Sequence, residues 1–322
     1  MSVDASVAER RAQSARQGPR AGSLQRRQNN EGWLLASPWI IGFLIWTVGP
    51  MIASAYYSLT EFDLINWTVL YRGGTYAKIL TADARTLHAL KVTTVYSAFS
   101  VPLRMILALA LAMLLNTKIR ALEWYRTIYY LPAVLSGVAV ALLWKWVFSA
   151  EFGLLNLVLS WFEIQGPAWL ADEHWALPAL ILMSMWGVGG GMVIYLAGLQ
   201  GIPTELYEAA SVDGATGMRR FLHITLPMMS PVLFFQLIMG IIRALQVFVQ
   251  GYVMTGGGPH DATLFFMLHL YNYAFWHFEM GYASAMAWIL FAYIMVLTLV
   301  VFRSSQAWVF YQGTLRGEKG AR

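Results

Sequence analysis

Glu208–Pro227 reads EAASVDGATGMRRFLHITLP, a polar, helix-prone stretch standing between two long apolar runs. Hydrocarbon offers no water to a polar backbone or side chain, so this stretch must lie at a membrane face. A protein that keeps such an insert between spans presents a surface to something outside the bilayer. The local chemistry of loop 201–228 predicts a hairpin of two short helices. Ile202-Pro203-Thr204-Glu205 starts the first, with Thr204 able to cap and Glu205 in the first turn, where the helix dipole favours negative charge. Gly214 stands where a left-handed residue ends it. Thr216 begins a second helix through Arg219, Phe221 and Ile224; Leu226-Pro227 ends that one and Pro231 opens the next span. Ala209 and Ala210 leave a smooth surface that another protein can approach, and Glu208 and Asp213 offer acceptors to a basic partner. An amphipathic connector resting on lipid headgroups would satisfy the same pattern.

Outward from the loop, the composition is that of a membrane protein. The 322 residues are 58% hydrophobic and 12% charged, where an ordinary soluble domain is about 25% charged. With no cysteine, disulfides, thiolate metal sites and cysteine nucleophiles are excluded. The net charge of +5 does not point to nucleic acid, because the basic residues cluster beside apolar segments.

Six segments are long and apolar enough to span, about 33–60, 91–116, 127–148, 176–200, 229–254 and 284–303. None holds an Asp or Glu. The fold class expected is an all-α polytopic bundle of six transmembrane helices spanning 33–303. It is flanked by a basic, disordered tail over 1–32 and a second tail over 304–322. Lys and Arg concentrate in the N-terminal tail, in 117–126, in 201–228 and after Phe302, while 149–175 and 255–283 contain neither. That bias puts both termini and loop 201–228 in the cytoplasm. Segment 61–90, with Arg72, Lys78 and Arg85, fits it poorly.

The spacing EAA, three residues, Gly, nine residues, I-x-LP is carried by Glu208-Ala209-Ala210, Gly214, Ile224, Leu226 and Pro227. With Asp213 and Phe221, with Tyr252–Pro259 (YVMTGGGP) followed by Ala262-Thr263, and with Gly281-Tyr282-Ala283-Ser284-Ala285, it resembles the inner-membrane permeases of binding-protein-dependent ABC importers, of the sugar and glycerol-3-phosphate kind. The resemblance covers about Trp33 to Arg303 and implies the type I importer permease fold in a bacterial inner membrane. It implies partners: a second permease, two ATP-hydrolysing subunits that hold ATP and Mg2+, and an extracytoplasmic solute-binding protein delivering a sugar to the 149–175 and 255–283 side. It also implies that Glu208, Ala209, Ala210, Asp213, Gly214, Phe221, Ile224, Leu226 and Pro227 form a coupling helix seated on an ATPase subunit.

For the pathway, Arg104 and Arg243 fall near the middle of the second and fifth spans, where each costs about 2.5–3.5 kcal/mol at a helix centre. Gln236, Arg243 and Gln250 recur every seven residues and Gln246 joins Arg243 at i+3, so one stripe of the fifth span is polar. That stripe is either an interhelical hydrogen-bond seam or a wall that meets passing substrate. In the fourth span, Trp186 and Gly187 open a glycine run that permits a break or close packing. Amide and guanidinium donors suit sugar hydroxyls; Arg243 or Arg104 would also suit an anionic substrate such as a glycerol phosphate or an acidic sugar. Neither a phosphate loop nor metal-ligand spacing occurs, so no cofactor, metal or catalytic residue is expected on this chain. A channel or secondary transporter would call for intramembrane carboxylates or inverted repeats.

Overall fold

A computed structural model of the chain describes residues 21–63, 69–70, 74–117 and 120–310. The chain divides into two compact units, Met1–Tyr57 and Ser58–Arg322. The first carries α1 (Ala21–Phe43), a π-helical turn (Leu44–Val48) and α2 (Gly49–Tyr57). Its stretch Gln28–Tyr57 is long and apolar enough to cross a membrane. The widened turn lies immediately before Pro50, whose missing N–H would otherwise break the ladder. The basic stretch expected to be disordered to residue 32 is helical from Ala21 on; residues 1–20 lie outside the described ones.

In the second unit β1 (Thr60–Glu61) pairs antiparallel with β2 (Val69–Leu70), and α3 spans Gly74–Thr81. The long helix α4 (Ala84–Leu114) is capped by Asp83, whose carboxylate accepts from Arg85 N and Thr86 N. The third expected span is a pair, α5 (Leu122–Val134) and α6 (Gly137–Val147), bent by 98°. After α7 (Leu154–Ser160), the fourth is α8 (Glu173–Ser184) with a 3-10 turn (Met185–Gly187), bent by 48° from α9 (Gly189–Gln200). The glycine run both breaks and packs, because a Cβ on Gly189 would strike the carbonyl of Tyr129 in α5.

Next come α10 (Thr204–Val212), α11 (Gly217–Arg220), a π turn (Phe221–Thr225) and α12 (Leu226–Leu245). Gly217–Leu245 is one continuous helix of 29 residues, so Leu226-Pro227 does not end the second loop helix as expected. Here too the π turn stands just ahead of the proline and takes up its missing donor. The fifth span stops at Leu245 instead of 254. A further helix, α13 (Phe266–Phe275), lies outside the six expected spans, in the segment 255–283, and α14 (Met280–Trp308) closes the bundle. Among the described residues four helices are long and apolar enough to span, and up to six if each bent pair is one span.

The bundle has more than one core. One gathers Tyr96, Val101, Phe148, Leu180, Met183 and Phe265, with Tyr96 and Phe265 edge to face at 5.1 Å. A second, nearer the 201–228 hairpin, gathers Ala108, Ala112, Val188, Met192, Tyr195 and Met229. Helix α4 serves both, with Val101 in the first and Ala108 in the second.

Candidate coupling loop and translocation cavity

Loop 201–228 folds as a stapled hairpin. Pro203, not Thr204, is the N-cap of α10, so the Thr204 hydroxyl supplies no cap. At the turn Gly214 has φ +72°, and the two bonds Gly214 N to Ser211 O (3.2 Å) and Ala215 N to Ala210 O (2.8 Å) close a Schellman motif. Any residue with a Cβ is strained there. Thr216 caps the returning helix, its Oγ1 accepting from Arg219 N. Tyr207 Oη and Thr225 Oγ1 stand 3.0 Å apart, and Arg220 Nη1 donates to Ser211 Oγ at 3.2 Å, tying the two arms together. Ile202 is buried and Ile224 packs on the second core.

The hairpin therefore has two sides. Ala210, Phe221, Ile224, Leu226 and Pro227 are half-buried and anchor it. Glu208, Ala209, Asp213 and Gly214 are exposed, beside Val212, which is 89% exposed, and Met218. Among the described residues no cation pairs with Glu208 or Asp213.

Between the two cores, where α4, α9 and α12 meet, lies a cavity of about 60 Å3. Arg104, Arg243, Gln236 and Tyr195 line it with Val101 and Gly240. Two glycines set its width: a Cβ on Gly240 would stand 3.0 Å from Val101 Cγ1, and one on Gly191 would stand 3.3 Å from Gln236 Nε2. Arg243 is exposed, so the cavity is open on its side; Arg104 is half-buried. Among the described residues neither guanidinium meets a carboxylate. Tyr195 is 1% exposed and its hydroxyl has no hydrogen-bond partner among the described residues.

Residues 100–309 match the family of binding-protein-dependent transport system inner membrane components. The chain belongs to this family. It is 42% identical over 291 residues to a probable ABC transporter permease protein of Bacillus subtilis strain 168, YesP, covering 89% of this chain and 94% of that one. It is 32% identical over 276 residues to the multiple sugar-binding transport system permease protein MsmF of Streptococcus mutans, covering 85% and 95%. A crystal structure of a bacterial ABC transporter involved in the import of the acidic polysaccharide alginate superposes with a TM-score of 0.75 at 24% identity, over 88% of this chain and 98% of that chain; the likeness is one of fold. The protein is a multi-pass permease subunit of an ABC importer, a transport component and not an enzyme.

Not every residue picked from the sequence of the permease reaches the cavity. Arg243 was expected mid-span; it lies in the last turn of α12, two residues before the helix stops. Gln246 is the C-cap and Gln250 precedes a separate π turn (Gly251–Thr255), so the four-residue stripe is not continuous. Only Gln236 and Arg243 of that stripe line the cavity. Trp186 stands edge-on to Trp144 at 5.7 Å and is half exposed, outside the cavity lining. Gly187, in the 3-10 turn, has open space where a Cβ would be. Tyr195 was missed: a lone Tyr in an apolar helix reads as core, and only the unmet hydroxyl distinguishes it.

The end of the bundle around α13 is tightly bonded. Arg85 forks onto Asp261 with Nε–Oδ2 at 2.8 Å and Nη2–Oδ1 at 2.9 Å. This carboxylate answers a cation that fitted the charge bias of the loops poorly. Burial pushes the Asp83 carboxyl up, but hydrogen bonds from Thr86 and from Tyr282 Oη (2.6 Å) hold it below its ordinary value. The Arg85 fork holds Asp261 below its own. His269, buried on α13 with Nε2 3.0 Å from Thr86 Oγ1, is pushed down to about 4 by desolvation.

Proposed function

We propose that the permease carries a sugar or small oligosaccharide into a bacterial cytoplasm by alternating access, with both termini and loop 201–228 on the cytoplasmic side. It works beside a second permease, two ATP-hydrolysing subunits and an extracytoplasmic binding protein; ATP and Mg2+ belong to the ATPase subunits. Sugar is supported by the multiple sugar-binding system of Streptococcus mutans among its relatives. The binding protein is supported by the description of the family, whose members depend on one.

The observation that carries the coupling role is the two-sided hairpin. Its returning arm is one helix with α12 from Gly217 on and is tied to α10 through Tyr207–Thr225 and Arg220–Ser211, while Glu208, Val212 and Met218 are exposed for a partner. A partner that grips this face differently in two nucleotide states shifts the bundle between two conformations. Substituting Glu208→Ala should lower substrate-stimulated ATP hydrolysis by about tenfold or more (1.4 kcal/mol per tenfold) while membrane insertion persists. Because the chain has no cysteine, Val212→Cys provides a single thiol for cross-linking to a cysteine on the ATPase subunit. Normal transport by Glu208→Ala, together with no cross-link at 212, would overturn the assignment.

A further inference from the structure

We propose that the cavity between α4, α9 and α12 is an anion site, and that the imported saccharide bears an oxyanion group, a carboxylate above all, which Arg104 and Arg243 read. The inference rests on the reading of the chain as a saccharide permease and specifies which saccharides.

Two cations in one small cavity are the starting point. Arg104 is half-buried within α4, where a guanidinium is expensive, and Arg243 shares its cavity from the end of α12, so the two repel. The chain supplies no compensation: among the described residues no carboxylate pairs with either. Other cations of the chain do find an oxygen, although Arg126 keeps its buried Nε unpartnered among the described residues. Arg85 has Asp261, Arg126 Nη2 reaches Leu115 O at 3.1 Å, and Lys145 Nζ reaches Val253 O at 3.4 Å.

The neutral lining has the same polarity of need. Tyr195 holds a buried hydroxyl with no partner among the described residues, and leaving such a group unpaired is unfavourable. Gln236 adds an amide to the lining. Two guanidinium groups, a phenol and an amide together offer donors to oxygen; none of the lining side chains is anionic. Guanidinium groups bind a carboxylate through paired hydrogen bonds. A neutral sugar hydroxyl would occupy the donors without relieving the charge. The cavity, about 60 Å3 and open at Arg243, admits a charged group while the rest of the saccharide lies outside it.

The test uses the full importer, permease pair, ATPase subunits and binding protein, in proteoliposomes. The probes are a radiolabelled uronic-acid disaccharide and its methyl ester, which has nearly the same size and no charge; a hexose phosphate and inorganic phosphate are added as competitors. The expected result is uptake of the acid about tenfold above the ester. Arg243→Gln and Arg104→Gln should each bring that ratio close to one, and Arg243→Lys should keep part of it. Competition by the hexose phosphate but not by inorganic phosphate identifies a saccharide-borne anion; the reverse would assign the cavity to a free ion and overturn the proposal. Equal uptake of acid and ester by the wild type overturns it too. So does an equal fall for both probes in Arg243→Gln, which would show the arginine holding the second permease instead. If neither saccharide is carried and a different class of solute is, the saccharide reading itself fails and this inference with it.

Discussion

Arg85 and Arg243 both sit on long helices of this bundle, and only one of them is answered. Arg85, at the start of α4, meets Asp261 through two bonds of 2.8 and 2.9 Å, across a sequence separation of 176. Arg243, in the last turn of α12, faces a cavity that it shares with Arg104, and among the described residues no carboxylate comes to either. The first arrangement is closed within the chain. Its side chains are 57% and 34% exposed, so water competes for them and the pair contributes at most about 1 kcal/mol. The second leaves its electrostatic cost standing until something else arrives. A charge that the fold itself answers holds structure together; one that it leaves open in a transport subunit is available to cargo.

The contrast is broken most forcefully by giving the cavity a carboxylate of its own. Gln236→Glu places an acid among Arg104, Arg243 and Tyr195 and makes the cavity resemble the Arg85–Asp261 end. Like charge then meets an incoming acidic saccharide, and such juxtapositions cost several kcal/mol. Uptake of the acid should fall by about a hundredfold and the acid-to-ester ratio should drop below one, while the thermal midpoint of the detergent-purified assembly rises. Transport assays and a melting curve on one variant thus give opposite signs. Unchanged acid uptake would place the cavity off the route.

What the sequence shows of this molecule follows from the range of each signal. The hairpin was legible because its determinants are local: Gly214 takes φ +72°, Thr216 caps the returning helix, and both lie within a few residues of the bonds they make. Pro227 misled for the same reason, since a proline reads as a stop unless a π turn ahead of it is visible. Arg104 and Arg243 stood out singly as charges in apolar runs, but their meeting depends on how α4 packs on α12. Gln250 shares a stripe with Arg243 by a seven-residue period and Gln246 by an i+3 step, both of which hold only while the helix continues, and it stops at Leu245. Helix α13 was invisible because its burial comes from distant partners, among them Thr93 Oγ1, which accepts from Phe266 N at 2.8 Å.

The answered end of the bundle sharpens the contrast with smaller effects. His269 is held near 4 in the folded chain against an ordinary 6.5, so between those values the unfolded segment binds the extra proton. The stability that this group contributes is complete above about pH 6.5 and is lost as pH falls toward 4. Asp83 and Asp261 favour the charged imidazole while burial, Arg85 and His277 oppose it, and burial dominates. The two carboxyls, both held low, begin to lose their contribution only at more acidic pH. The opening equilibrium of residues 264–275, taken from amide hydrogen exchange after dividing out the intrinsic exchange rate at each pH, should rise by about tenfold or more between pH 7.5 and pH 5 from this one group, and His269→Gln should flatten the profile. A profile already flat in the wild type would mean that the imidazole is solvated.

The smallest effect is expected where the pair is most complete. Asp261→Asn leaves Arg85 without its fork, but the guanidinium is more than half exposed and water replaces the carboxylate. The loss should be about 0.2–1 kcal/mol, a fall of about 1–2 °C in thermal midpoint, and it should shrink in 0.5 M salt as screening removes what the pair contributed. The acid-to-ester ratio should not change, because nothing about the cavity depends on this bond. That outcome separates the two arginines by function and not merely by environment. If Asp261→Asn instead reduced the preference for the acid as far as Arg243→Gln does, the answered and unanswered ends would belong to one electrostatic system, and the cavity could not be credited with reading charge by itself.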